Sequence, residues 1–194
     1  MTRALFALLA AIPLAGCISL GEDPPPVLLT LTAAAVVQPG STASGTPGEA
    51  VTVVTPGVPQ SLATARIPVQ SNDTEVAYLK DAQWVETPNK LFQRLLSETI
   101  QARTGRPVLS PRQFSLDPGT RISGELLAFG VDAPTQSAVV TYDAAISRDG
   151  GARVETRRFE ARVPVSAVES GPVGVALNAA ANQVAGEVAA WVAG

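Results

Sequence analysis

The sequence predicts an α+β fold, a two-layer sandwich in which two helices cover one face of a mainly antiparallel sheet. Three observations carry this expectation. After Thr87-Pro88, which read as an N-cap followed by a proline in the first helical turn, Leu91, Phe92, Leu95, Leu96 and Ile100 recur at helical spacing until Gly105. A second helical pattern follows Gly171-Pro172 and carries Val173, Leu177, Ala180, Ala181, Val184, Val188 and Trp191. Between them, residues 121–165 read as a β-meander. Helices separated by antiparallel strands bury their apolar stripes by packing together on one sheet face.

The elements follow in chain order. Residues 27–32 (VLLTLT) have the apolar and β-branched content of a short strand. Residues 33–49 turn to Ala, Gly, Ser, Thr and Pro without periodicity, and are expected to form a flexible loop. Residues 50–55 and 65–70 read as strands joined through Pro56-Gly57-Val58-Pro59 and Ser61-Leu62-Ala63. Residues 75–79 and 83–86 are expected to form a hairpin around Lys80-Asp81-Ala82, immediately before the first helix.

In the meander, residues 121–132 are followed by 137–147, where Ala138, Val140, Tyr142, Ala144 and Ile146 share one parity. Arg148-Asp149-Gly150-Gly151 is a hairpin turn signal. On the return strand, 153–165, Phe159, Ala161, Val163 and Val165 face one way, and Arg158, Glu160 and Arg162 the other. Val154 and Thr156 break that division, so either a bulge resets the register near Arg157 or the strand is only half amphipathic. Trp84 and Trp191 read as core anchors.

The amino terminus has a different character. Met1-Thr2-Arg3 supplies one positive charge, residues 4–14 are almost wholly apolar, and the small pair Ala15-Gly16 precedes Cys17, the only cysteine. A charged start, a short apolar run and small residues before a cut describe a secretory leader, and the run falls short of the roughly 20 residues of a membrane-crossing helix. The order Leu14-Ala15-Gly16-Cys17 is that of a lipoprotein signal, in which the thiol takes diacylglycerol before cleavage on its amino side. Residues 1–16 are therefore expected to be removed as a signal peptide. Residues 17–26 would form a lipidated tether stiffened by Pro24-Pro25-Pro26, and residues 27–194 a single domain. Ile18, where an Asp commonly retains lipoproteins at the inner membrane, favours sorting to the outer membrane, with the domain on its periplasmic face.

Composition narrows the functions. Loss of Arg3 with the leader takes one from 14 basic residues, against 17 acidic. The resulting balance of about −4 disfavours nucleic acid, whose binding requires clustered Lys and Arg. Histidine is absent and cysteine is single, which removes the commonest general base near neutral pH, Cys/His metal sites and Ser-His-Asp triads. The acidic residues are scattered singly, so no catalytic residues, metal ligands or cofactors are expected beyond the diacylglycerol and N-acyl lipid on Cys17, and an enzyme is not expected.

These features together resemble a family. The lipid-attachment signal, the tether, Pro59 and Leu62 leading into Arg66-Ile67-Pro68-Val69, then Glu75-Val76-Ala77-Tyr78, and Trp84 just before a proline-opened helix are similar to the ABC-type transport auxiliary lipoprotein family. The resemblance covers residues 27–192 and is most specific over 62–96. It implies an auxiliary domain over 27–194. This is a non-catalytic subunit working beside an ABC transporter and a periplasmic protein of the mammalian-cell-entry type in intermembrane lipid transport, with ATP hydrolysis in another subunit. Tyr78 and Trp84 are then the candidate partner contacts, and a homo-oligomer stays open. Two other functions compete: a lipoprotein that regulates cell-wall synthesis or assembles a secretion complex, and a direct lipid carrier, which would need a sizeable apolar pocket.

Overall fold

The structure, a computed structural model, describes residues 27–110 and 119–194. The leader, Cys17 and the tether lie outside the described residues. Nine strands and two helices follow in order: β1 (Val27–Leu29), β2 (Val51–Val53), β3 (Pro68–Gln70), β4 (Val76–Tyr78), β5 (Ala82–Trp84), α1 (Pro88–Thr104), β6 (Val108–Leu109), β7 (Thr120–Asp132), β8 (Ser137–Arg148), β9 (Arg153–Pro164) and α2 (Ser170–Ala193).

The α+β sandwich is as expected, and the sheet is more mixed than the sequence suggested. The long strands β7, β8 and β9 form the antiparallel meander, and β3 and β4 pair antiparallel at the far side. One edge of β7 belongs to β8 along its length. Its other edge is shared by two short strands running parallel to it, β2 at Thr120–Ile122 and β3 at Val131–Asp132, with a single bridge between Gly57 and Glu125 in the middle. Residues 51–70 are thus one interrupted strand that leaves and rejoins β7, because Pro56 and Pro59 lack the N–H groups a continuous ladder requires. Where β3 rejoins, Gly130 faces Pro68 so closely that a Cβ would overlap the Pro68 carbonyl.

The expected hairpin over 75–86 does not form. Instead β4 turns back on β3 through Asn72, whose Oδ1 accepts from the amides of Thr74 and Glu75, and Ser71 N–H donates to the Glu75 carbonyl at 2.9 Å. An Asx turn two residues after a strand directs the chain more strongly than Lys80-Asp81-Ala82 does. β5 then pairs in parallel with β1 in a separate two-stranded ribbon.

The register of β8 against β9 runs unbroken from Ser137–Pro164 to Arg148–Arg153, so the parity of Val154 and Thr156 reflects a half-covered strand. The register shift lies in β7, at Leu126/Ala128. Phe159 rests against Trp191 near the carboxyl end of α2, with ring centroids 5.5 Å apart. Before Phe159 the helix layer has ended, and Arg153–Arg158 are exposed on both faces.

Both helices lie on one side of the sheet. α1 ends at Gly105, whose φ of 69° is left-handed, and buries Leu91, Phe92, Leu95, Leu96 and Ile100. Each such side chain contributes about 2 kcal/mol of transfer free energy. Thr87 occupies the N-cap position without a side-chain cap bond. α2 presents small residues inward: Ala176, Ala180, Ala181, Ala185 and Ala189 are buried beside Val173, Leu177, Val184 and Val188. The small alanines let α2 sit close to the sheet.

Residues 33–49 contain no strand and end in a short 3-10 turn at Pro47–Glu49, and their start is not detached. Thr32 N–H donates to Asn178 Oδ1 (2.9 Å), Ala34 N–H to Asn182 Oδ1 (2.7 Å) and Val37 N–H to Glu98 Oε1 (2.6 Å), while Asn182 Nδ2 donates to the Thr32 carbonyl (2.9 Å). Residues 30–37 therefore form an extended strap bound to α1 and α2 by side chains that complete its backbone hydrogen bonds.

Candidate functional site

The two aromatic residues that the sequence offers as partner contacts have different fates. Trp84 is 1% exposed. Its ring meets Phe129 edge-on at 5.4 Å, and an aromatic chain continues through Phe92 to Tyr142. The β5 parity directs it inward with Ala82, so Trp84 is a core anchor, as its other expectation held, and it cannot touch a partner. Its Nε1 finds no hydrogen-bond acceptor among the described residues. Trp191 is half-buried against Phe159.

Tyr78 lies at the surface end of β4, half-buried. Arg66 stacks over its ring at 4.3 Å from the centroid, and its hydroxyl donates weakly to the Ser61 carbonyl at 3.5 Å. β3 binds β4 on one edge, and among the described residues nothing pairs with the other. A cleft of 420 Å³ opens there between β4, Lys80-Asp81 and the start of α2 at Val168–Ser170. Of the two aromatics, only Tyr78 is on a surface a partner could reach.

On the far side of the sheet, a second cleft of 430 Å³ lies between the β3–β4 turn and β7, with Gln70, Asn72, Asp73, Asp132 and Arg162 among its walls. The same sheet face carries a ladder of ion pairs. Arg158 grips Asp143 through two bonds of 2.6 Å, and Arg162 bridges Glu160 (2.9 Å) and Asp132 (3.0 Å). Glu160 also accepts from the Thr141 hydroxyl at 2.9 Å. The arginine bonds hold the carboxyls of Asp143 and Glu160 below their ordinary range, and the Thr135 hydroxyl does the same first for Asp132, with Arg162 adding to it. Acids held ionised by arginines are poor proton donors near neutral pH. Tyr142, the buried phenol, donates to the Ser123 carbonyl at 3.0 Å, and burial pushes its pKa up, away from reactivity.

Among the described residues, no group of three or more His, Cys, Asp or Glu could hold a metal ion, and no helix is long and apolar enough to cross a membrane. Sequence reasoning missed Asn178 and Asn182. Their signal was present: two weak helix formers four residues apart in an Ala-rich helix stand on one stripe and ask for a partner.

Comparison with known proteins places these features. The family model described as ABC-type transport auxiliary lipoprotein component matches residues 29–189. The fold is similar to a crystal structure of an uncharacterized protein, at 13% identity and TM-score 0.70, covering 87% of this chain and 99% of that one. It is also similar to a DUF330 protein from Xanthomonas campestris, at 17% identity and TM-score 0.68, covering 85% and 93%. A PelC dodecamer from Paraburkholderia phytofirmans is more distant, at 13% identity and TM-score 0.43, covering 75% and 92%. No curated protein matches the sequence.

Proposed function

Because the chain belongs to the family of ABC-type transport auxiliary lipoprotein components, we propose that it is a non-catalytic envelope lipoprotein, anchored through Cys17 in the outer membrane, that serves an intermembrane lipid transporter from the periplasmic face. The observation that carries this is the union in one chain of the Leu14-Ala15-Gly16-Cys17 signal with a domain matched by the family over 29–189. Acyl chains on Cys17 would hold the domain at a bilayer, since one chain binds only marginally and two or more bind firmly. The tether over 17–26 sets how far it stands off.

The domain's part is to dock, with Tyr78 and the open edge of β4 as one contact. The partners would be the transporter and its periplasmic mammalian-cell-entry-type protein. Paired carboxylates, buried phenol and absent histidine all support a binding role over a chemical one. Mass spectrometry of the protein from bacterial envelopes, beside fractionation of a Cys17→Ala variant, tests the anchor. The expected result is a chain beginning at an acylated Cys17 and loss of the variant from the membrane fraction. A wild-type chain without lipid, or a variant that still fractionates with the outer membrane, would end the proposal.

A further inference from the structure

At the end of the β8–β9 hairpin β9 is uncovered on both faces, and charge is concentrated there. Around the arm stand Arg121, Arg148, Arg153, Arg157 and Arg158 against Asp143, Asp149 and Glu155. Two pairings use part of this charge, Arg158 with Asp143 and Arg148 with Glu155 at 3.1 Å. Among the described residues, Arg121 and Arg153 meet no carboxylate, and Arg157 lies over the Phe159 ring at 4.9 Å without an acidic partner. Elsewhere the basic groups stand beside acids: Lys80 lines one cleft with Asp81 and Glu169, and Arg162 lines another with Asp73 and Asp132. The arginines without acidic partners among the described residues therefore gather on the arm.

The arm also has a free edge. β9 pairs with β8 and, among the described residues, with nothing else, and six consecutive residues, Arg153–Arg158, are exposed. An open strand edge binds an added strand through main-chain bonds, and alternate side chains of that strand set the specificity. Toward the helix side, β9 presents Arg153, Glu155 and Arg157 in alternation. We propose that this edge is a docking site for an acidic extended segment of a partner protein. Opposite Arg153 and Arg157 that segment carries carboxylates, and opposite Glu155 a neutral or basic residue. Two arginines to one glutamate, with that glutamate already held by Arg148, favour an acidic segment; a second copy, which could set Arg153 or Arg157 against Glu155 in the registers through Val154 or Thr156, is the competing outcome of the test. Affinity for the segment does not depend on the lipid anchor at Cys17.

The test uses the mature lipidated chain in detergent and two fluorescein-labelled heptapeptides, Thr-Glu-Val-Lys-Val-Glu-Thr and its charge-inverted counterpart Thr-Lys-Val-Glu-Val-Lys-Thr. Fluorescence anisotropy at low salt should show binding of the first and not of the second. Hydrogen exchange should slow at β9 amides in the complex. Arg153→Glu with Arg157→Glu should weaken binding at least tenfold, whereas Lys80→Glu with Lys90→Glu, the same change in net charge elsewhere, should leave it within twofold. Circular dichroism melting checks the fold, and Arg153→Gln with Arg157→Gln gives a milder replacement that should also weaken binding. Equal affinity for both peptides, or undiminished affinity in both arm variants, would overturn the proposal. So would loss of arm-dependent peptide binding in favour of vesicles containing phosphatidylglycerol, or dimerisation through β9 in sedimentation. None of these results bears on whether Cys17 is acylated, so failure here and failure of the transport role are separable.

Discussion

Asn182→Ala should loosen the strap on α2 around Ala34 while leaving the core intact. Asn182 donates to the Thr32 carbonyl at 2.9 Å and accepts from Ala34 N–H at 2.7 Å, and both bonds are solvent-accessible. A hydrogen bond of this kind contributes about 0.5–1.5 kcal/mol net, so the two hold the strap by about 1–2 kcal/mol. Alanine also propagates a helix better than asparagine, by about 0.6 kcal/mol, which offsets part of the loss in global stability but none of the loss at the strap. The two scales should therefore separate. Urea denaturation should show a loss of about 1 kcal/mol or less, while the Ala34 amide exchanges about tenfold faster with deuterium. Thr32 N–H, held by Asn178, and Val37 N–H, held by Glu98, should change less. Asn182→Asp keeps the acceptor for Ala34 and loses the donor to Thr32, so it should leave Ala34 better protected than alanine does. If Ala34 exchanges at the rate of a free peptide in the wild-type protein, or is unchanged by Asn182→Ala, the strap is not held as described.

Two further outcomes follow from the sheet. Gly130→Ala would place a methyl against the Pro68 carbonyl and within 2.9 Å of Pro68 Cγ, prising β3 from β7 at a cost of about 3 kcal/mol. Gly57→Ala in the same seam meets Glu125 Cγ at an ordinary 3.4 Å and should cost under about 1 kcal/mol; equal midpoints in urea would contradict the packing. Stability should also fall in acid. Asp132, Asp143 and Glu160 have lowered pKa values in the folded state, so their contribution is complete above their unfolded values near 4 and is lost as pH falls through the lower folded ones. Because these pairs are partly exposed, their sum is about 1 kcal/mol, and Asp132→Asn, Asp143→Asn and Glu160→Gln together should flatten the profile below about pH 4; an unchanged slope would refute the assignment.

Both helices were legible because their apolar stripes are long and their ends carry proline and glycine signals. The meander was legible for the same reason, since Ala138 to Ile146 and Phe159 to Val165 alternate without interruption. The short strands were harder. Residues 51–70 hold two separate stretches of β pattern, and nothing local says that both lie beside one strand more than 50 residues later, or in parallel. Asn72 carried enough turn chemistry to displace the expected hairpin, a competition that hydrophobic pattern alone does not weigh. At the candidate contact, Tyr78 and Trp84 are six residues apart and look alike in sequence. Their fates were set by β5 pairing with β1, which turns Trp84 toward Phe129, and by the stacking of Arg66 on Tyr78. The strap resisted prediction because its bonds come from side chains far along the chain, Glu98 of α1 and Asn178 and Asn182 of α2, the last 150 residues from Thr32.

The central claim is that a lipid anchor holds this domain where it docks onto a transporter. A photo-crosslinking amino acid placed at Tyr78 of the full chain in living cells, with the products identified by mass spectrometry, tests it most directly. The account predicts a crosslink to the mammalian-cell-entry-type periplasmic protein or to a subunit of its ABC transporter, dependent on an intact Cys17. Crosslinks confined to cell-wall or secretion components, or a transporter crosslink that persists undiminished in Cys17→Ala, would contradict it.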